Sequence, residues 1–354
     1  MIQPEHPCTS PITTSLPKAA DSLARPGTPS ADTAPDTGRR RFLAGLAGVA
    51  APAVLGAGPA RAQTPASQTP AAGPPLPSIQ LGEHRVSRLV AGANPLSGYS
   101  YQGPHTDRAM KEYFTLERRV EFLQNCERAG ITAHQFSTYK DSDYLKAARD
   151  SGVKLQYFGL HSDPATVKEA VQTVQPMALV HHGGATDTRF AEGKPQAVHD
   201  FVKAVHDAGI LAGVSAHNPD CIKRVADEGW EVDFFMTCFY FLTRERVPGA
   251  LDKVPPVPCL ELSYPFYIDD PLTMTEVMRQ VKQPCFGFKI LAAGRACRND
   301  RRVREAFKFA FTNIKPTDAV IVGMFPRFVD EIQFNVQATR DYGTVSSRKA
   351  AEAG

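Results

Sequence analysis

From residue 79 onward the chain alternates short apolar runs with stretches whose apolar residues recur at helical spacing. Eight short runs read as strands, over 88–93, 131–136, 154–160, 178–182, 210–216, 233–238, 285–291 and 319–323. The stretches between them read as helices. In 115–129 a threonine comes first, Leu116, Val120, Leu123 and Cys126 repeat at helical spacing, and Gly130 supplies the residue type that commonly ends a helix. Val198, Val202 and Val205 do the same in 195–208, closed by Gly209. Asn218-Pro219-Asp220 opens another helix with proline in its first turn, and 299–314 and 326–338 complete the set. Eight strands, each followed by a helix, predict an α/β fold, a (β/α)8 TIM barrel over 79–343. A doubly wound sheet is the alternative. It calls for a glycine-rich turn after the first strand, and Gly92-Ala93-Asn94-Pro95 is not one.

The two ends read differently. Residues 1–38 are rich in Pro, Ser, Thr and Ala without apolar period, which predicts a disordered leader, and 344–354 read as a disordered tail. Arg39-Arg40-Arg41-Phe42-Leu43, a weakly apolar run to Leu55 and Pro59-Ala60-Arg61-Ala62-Gln63 resemble a twin-arginine export signal with a small-x-small cleavage site. That resemblance implies a signal peptide within 1–62, a linker over 63–78, the twin-arginine export machinery as a partner, and a periplasmic or secreted mature chain.

Charge and composition narrow the partners. Forty Lys plus Arg against 37 Asp plus Glu leave a formal charge of +3, too even for a nucleic-acid or membrane footprint. The apolar run from Phe42 to Leu55 is too short to span a bilayer. Six of the seven cysteines follow the leader, sit singly in apolar runs and form no CxxC, which reads as free thiols. A small molecule is the expected ligand.

In a barrel the long connections 94–114 and 239–270 both leave the C-terminal ends of strands, the face that carries active sites. They are rich in rings; Tyr99, Tyr101, Tyr240 and Tyr264 are the candidate substrate-binding residues. Histidine placement points to the same face. His134 lies in the second predicted strand, His161 just past the third, His181 and His182 at the end of the fourth, and His217 just past the fifth. Such imidazoles suit a divalent transition metal, with His161, His181, His182 and His217 as ligands and Asp163, Asp187, Asp233 or Cys238 completing the set. They suit acid–base catalysis equally, because imidazole titrates near neutral pH. His181 and His182 are adjacent on a strand, so only one can face the barrel interior. Lys289 is a charge inside an apolar run. Pointing inward it would be a Schiff-base or electrostatic lysine; pointing outward, a solvated one. Cys238 reads as a nucleophile or a small core residue.

At these residues the chain resembles the aldo-keto reductases: Val86-Ser87-Arg88-Leu89 with Gly92, then Gly130-Ile131, Leu179-Val180-His181, Gly213-Val214-Ser215 and Ile321-Val322-Gly323. The resemblance implies a (β/α)8 barrel with its ligand at the C-terminal mouth, NADPH as cofactor and an Asp, Tyr, Lys, His tetrad. Carried over, the histidine falls on His181, the aspartate on Gln135, the lysine near Leu160 or His161, and the tyrosine near Lys140, between Tyr139 and Tyr144. The nicotinamide-binding Ser-Asn pair becomes Ser215-Ala216, and the loop after the eighth strand keeps Arg327 and Asn335 without Lys-Ser. One tetrad member of four remains, so reduction of an aldehyde with NADPH is not expected. The leading reading is an exported enzyme acting on a carbonyl or sugar-like molecule, with His181 or His182 moving protons and Gln135 and Lys289 orienting substrate. A metal-dependent isomerase, lyase or hydrolase and a non-catalytic ligand-binding barrel are the alternatives.

Overall fold

Eight of the chain's strands pair edge to edge, all parallel, until the last meets the first. In the computed structural model, which describes residues 75–244, 264 and 266–344, they are β3 (Leu89–Gly92), β4 (Ala133–Phe136), β5 (Gln156–His161), β6 (Ala178–His181), β7 (Leu211–Ala216), β8 (Phe234–Cys238), β9 (Cys285–Phe288) and β10 (Ala319–Gly323). β10 closes the ring on β3, with Val320 opposite Leu89 and Gly323 opposite Gly92. This is a (β/α)8 barrel. The leader, the twin-arginine segment, the start of the linker and the tail from 345 lie outside the described residues.

The helices follow as α1 (Pro104–Tyr113), α2 (Leu116–Arg128), α3 (Asp143–Asp150), α4 (Val167–Val174), α5 (Gly183–Ala191), α6 (Gln196–Asp207), α7 (Pro219–Asp227), α8 (Asp270–Gln280), α9 (Asp300–Asn313) and α10 (Glu331–Tyr342). The helix-start signals act as their chemistry requires: Thr115 accepts from the Arg118 amide, Asn218 from Asp220 and Asn299 from Arg302. Among the described residues, no helix is long and apolar enough to cross a membrane.

Strand alternation sorts the side chains into two cores. Val90, Ala133, Phe158, Val180, Phe234, Met236, Phe286 and Ile321 fill the barrel interior. Leu89, Ala91, Phe136, Tyr157, Leu179, Val214 and Phe235 face the helices. Packing between strands is close enough that a Cβ on Gly159 would lie 2.0 Å from the Phe136 ring, so only glycine fits there.

Three features depart from the sequence reading. An antiparallel hairpin, β1 (Ser78–Leu81) and β2 (His84–Ser87), precedes the barrel, and its Ile79, Leu81 and Val86 join the interior core. The connection 94–114 contains α1, and the stretch after β6 contains α5. The seventh barrel strand stops at Phe288 instead of 291. Lys289 therefore lies beyond the strand, with φ 60, a left-handed conformation unusual for a residue with a Cβ.

Arg88 joins the ring's seam from below. Its guanidinium donates to the carbonyls of Asp318 (2.7 Å), Gly343 (2.7 Å) and Lys315 (2.9 Å) and lies over the Phe311 ring. Burial lowers its pKa to about 10, yet three carbonyl acceptors keep the charge satisfied.

Candidate active site

The parity that fills the interior also decides which side chains reach the C-terminal mouth. On β4 Ala133 points in, so Gln135 does too, while His134 turns out toward α3. On β6 Ala178 and Val180 point in, so the inward position continues to His182 and not to His181. On β7 the inward series reaches Ser215 and then His217. These residues, with Lys289, line one cavity of about 1110 Å³ at the mouth.

The resemblance favoured His181 as the inward histidine; the strand corrects this. The His181 ring sits in the helix layer, 5.1 Å from the Phe201 ring, with Nδ1 2.7 Å from the Thr186 hydroxyl. That hydroxyl donates onward to the His182 carbonyl, so Nδ1–H of His181 is the donor of the first bond. Burial holds the His181 pKa down at about 3, hence the ring is neutral. His161 pairs with His181 in register and faces the same way, its ring 5.5 Å from Tyr139 and 6.0 Å from Phe201. The proposed metal set is thereby split: His161 and His181 lie outside the barrel wall, His182 and His217 inside. Asp163 caps a turn, and Asp233 bonds to His206. Among the described residues no three His, Cys, Asp or Glu side chains gather to hold a metal ion.

The two mouth histidines are held in complementary states. His217 lies 3.0 Å through Nδ1 from Asp187 Oδ2, and a carboxylate can only accept there. Its Nδ1 therefore carries the proton and Nε2 keeps a free lone pair. His182 caps α5, its Nδ1 accepting from the Ala185 amide at 3.4 Å, which leaves the proton on Nε2. Neither Nε2 has a hydrogen-bond partner among the described residues. Burial lowers the pKa of both rings. Lys289 adds to this at both rings and Asp187 opposes it at both, and at His182 the neighbouring His217 disfavours a second proton as well. The mouth thus offers one neutral imidazole as donor and one as base.

Asp187 is fully engaged in holding this arrangement. Its carboxylate accepts from the His217 ring and amide, the Asn218 amide and the Thr243 hydroxyl at 2.9 to 3.2 Å. Gly183 leaves room for the packing: a Cβ there would lie 2.9 Å from Ser215 Oγ and 3.2 Å from His217 Cε1. The sequence reading named Asp187 only as a possible metal ligand, because its helix was not anticipated.

Lys289 and the rings complete the site. Its ammonium nitrogen lies 4.8 Å from the Tyr101 ring centre and 4.5 Å from that of Phe288. Tyr99, Tyr101 and Tyr264 form an edge-to-face set, with centroids 4.5 and 5.5 Å apart in the two pairs. Tyr240 was expected beside them; it packs on Phe266 at 5.0 Å and does not line the cavity. Gln135 lines the cavity wall, its amide donating to the Phe136 carbonyl at 2.6 Å. Cys238 is fully buried, and burial pushes its thiol up to about 11, so it fits a core residue better than a nucleophile.

The residues present do not fit NADPH. TIM barrels commonly bind phosphate at the loops after the seventh and eighth strands. Here Asp300, Asp330 and Glu331 occupy the starts of α9 and α10, facing the same cavity. Glu331 already accepts the Phe325 amide at 2.7 Å. Carboxylates at helix N-termini repel a pyrophosphate that would otherwise bind there.

No family model matches the chain, and no curated protein matches it in sequence. Solved structures similar to it include the glycerol dehydrogenase AKR11B4 from Gluconobacter oxydans, at 11% identity and TM-score 0.47 over 78% of this chain and 94% of that one. A truncated 3-deoxy-D-arabino-heptulosonate 7-phosphate synthase from Thermotoga maritima is similar at 12% identity and TM-score 0.44, covering 79% of this chain and 93% of that one. A Yersinia pestis DHPS is similar at 8% identity and TM-score 0.44, over 78% and 99%.

Proposed function

We propose that the protein is an exported barrel enzyme that moves a proton at the carbon next to the carbonyl of a neutral, carbonyl-bearing or sugar-like small molecule. The observation that supports it is the pair of neutral imidazoles on one cavity. The His182 Nε2–H suits donation to a carbonyl oxygen, and the His217 Nε2 suits removal of the adjacent C–H proton. Gln135 and Lys289 add polar groups that orient the substrate, and the Tyr99, Tyr101 and Tyr264 rings offer flat apolar faces to a sugar-like skeleton. Among the described residues Lys289 is the only Lys or Arg lining the cavity, against three carboxylates, so a polyanionic substrate fits poorly.

The reading is tested by proton exchange. Incubated in D2O with a panel of hydroxyketones and aldoses, the protein is expected to replace the α-hydrogen with deuterium, seen as loss of that proton signal by NMR. No exchange with any member of the panel would leave the tyrosine-lined mouth as a binding site and remove the enzymatic reading.

Export belongs to the same proposal. It rests on Arg39-Arg40, the short apolar run and the Pro59-to-Gln63 site. Replacing Arg39 and Arg40 by Lys is expected to keep the protein in the cytoplasm, while the parent appears outside it shortened to near Gln63. Recovery of exported protein still beginning at Met1 would overturn this.

A further inference from the structure

We propose that Lys289 is an imine-forming residue, whose amine condenses with the carbonyl carbon of a ketone or aldehyde bound in the barrel mouth. This deepens the acid–base reading and rests on it. Two observations about the residue's setting support it.

The first is its lack of an anion. Lysines held for structure are commonly paired with carboxylates. Lys289 makes no ion pair among the described residues. Asp187, the carboxylate whose charge acts on it, is engaged by His217, Asn218 and Thr243. What surrounds the amine is aromatic, the faces of Tyr101 and Phe288. The second observation is backbone geometry. Lys289, Ala292, Ala293 and the facing Tyr101 all have φ between 50 and 60. Such strain persists only where surrounding structure enforces it. Here Gln102 donates to the Ala293 carbonyl at 3.1 Å, Arg295 to the Tyr101 carbonyl at 3.4 Å, and the Ala292 amide to Lys289 at 2.8 Å. Two loops are locked together, and the lysine is presented to the cavity.

Burial also lowers the amine's pKa, opposed by Cys238, Tyr264 and Asp187, which enriches the uncharged form that attacks carbonyls. In the step itself the Nζ lone pair forms the C–N bond while the carbonyl π pair moves to oxygen. His182 Nε2–H supplies a proton to that oxygen. The carbinolamine nitrogen returns one of its hydrogens to His182, and its lone pair then forms the C=N bond as the C–O bond breaks. The hydroxyl leaves as water with a proton from solvent, and the second amine hydrogen stays on the imine nitrogen. In the protonated imine, His217 Nε2 takes the adjacent C–H proton, and that bond's electron pair neutralises the nitrogen as an enamine. No oxidant or reductant is consumed.

Reduction with borohydride makes the imine permanent. The full-length protein would be incubated at neutral pH with hydroxyacetone, and separately with glyceraldehyde, reduced, digested and analysed by peptide mass spectrometry. Lys289 is expected to carry the reduced adduct at least about tenfold faster than exposed lysines such as Lys203 and Lys308. A Lys289→Arg variant, which keeps a cation but cannot form an imine, is expected to lose α-exchange in D2O. If the parent exchanges deuterium while Lys289 labels no faster than Lys203, or if the arginine variant still exchanges, the imine is wrong and the acid–base reading stands. If neither exchange nor labelling occurs, both fall.

Discussion

Lowering the pH from 7 to 4 is expected to cost the fold on the order of 6 kcal/mol through two histidines alone. His134 donates from Nδ1 to the Ala91 carbonyl at 3.0 Å, so its Nε2, 2.8 Å from the Tyr144 hydroxyl, must accept. A second proton has nowhere to go, and burial lowers the pKa to about 4, with the Ala91 bond opposing it. His181 is similarly enclosed at about 3. In the unfolded chain both titrate near 6.5, so below that pH the unfolded state binds protons that the folded state refuses. Stability therefore rises with pH across this window, and each ring contributes about 3 kcal/mol of loss by pH 4. Asp318 and Glu331, raised by burial, act in the opposite direction and offset part of it. The check is the urea midpoint followed from pH 7 to 4 in the parent and in His134→Asn and His181→Asn. Each variant is expected to be less stable at pH 7 but to show a flatter pH dependence. Parallel curves for all three would show that these rings do not carry the acid sensitivity.

Much of the barrel was legible because buried parallel strands leave an unmistakable record. Each is a short apolar run bounded by polar or glycine-containing turns, and eight such runs within one domain leave few architectures. The same property hid the site's orientation. In 178–182 the residues Ala178, Leu179 and Val180 are apolar on both faces, so nothing in the run shows which histidine points inward. Only the closed ring fixes that parity. Helix α5 escaped notice because Gly183-Gly184-Ala185-Thr186 is a poor helix opening by propensity. It forms because His182 caps it, Thr186 bonds back to His182, and Asp187 anchors it to β7's end. The left-handed backbone at Lys289 had no signal at all, since no glycine stands there. Of the five histidines singled out in the sequence, His182 and His217 line the mouth cavity, while the other three, His134, His161 and His181, sit in helix-layer packing.

Asp187→Asn is expected to lower kcat for α-exchange by about 10²- to 10⁴-fold, with a smaller effect on KM. The carboxylate does not itself line the cavity, so it acts through His217 as a positioning residue. An asparagine keeps the shape and still accepts from the Asn218 and His217 amides through its oxygen. If its NH2 group faces the ring, His217 must accept at Nδ1 and carry its proton on Nε2, which makes it a donor where a base is needed. The pH profile separates this from simple loosening. Asp187 opposes the burial that lowers the His217 pKa, so its removal shifts the acid limb of kcat/KM further down in pH. Lys289→Met, followed by NMR titration of the imidazole protons because it lacks the imine-forming amine, should raise the pKa of both His182 and His217, since the lysine's charge lowers both. A merely structural Asp187 would reduce the amount of active enzyme and leave the limb in place. Chemistry that did not pass through His217 would leave the limb of Asp187→Asn unmoved, and the base would then have to be sought at His182.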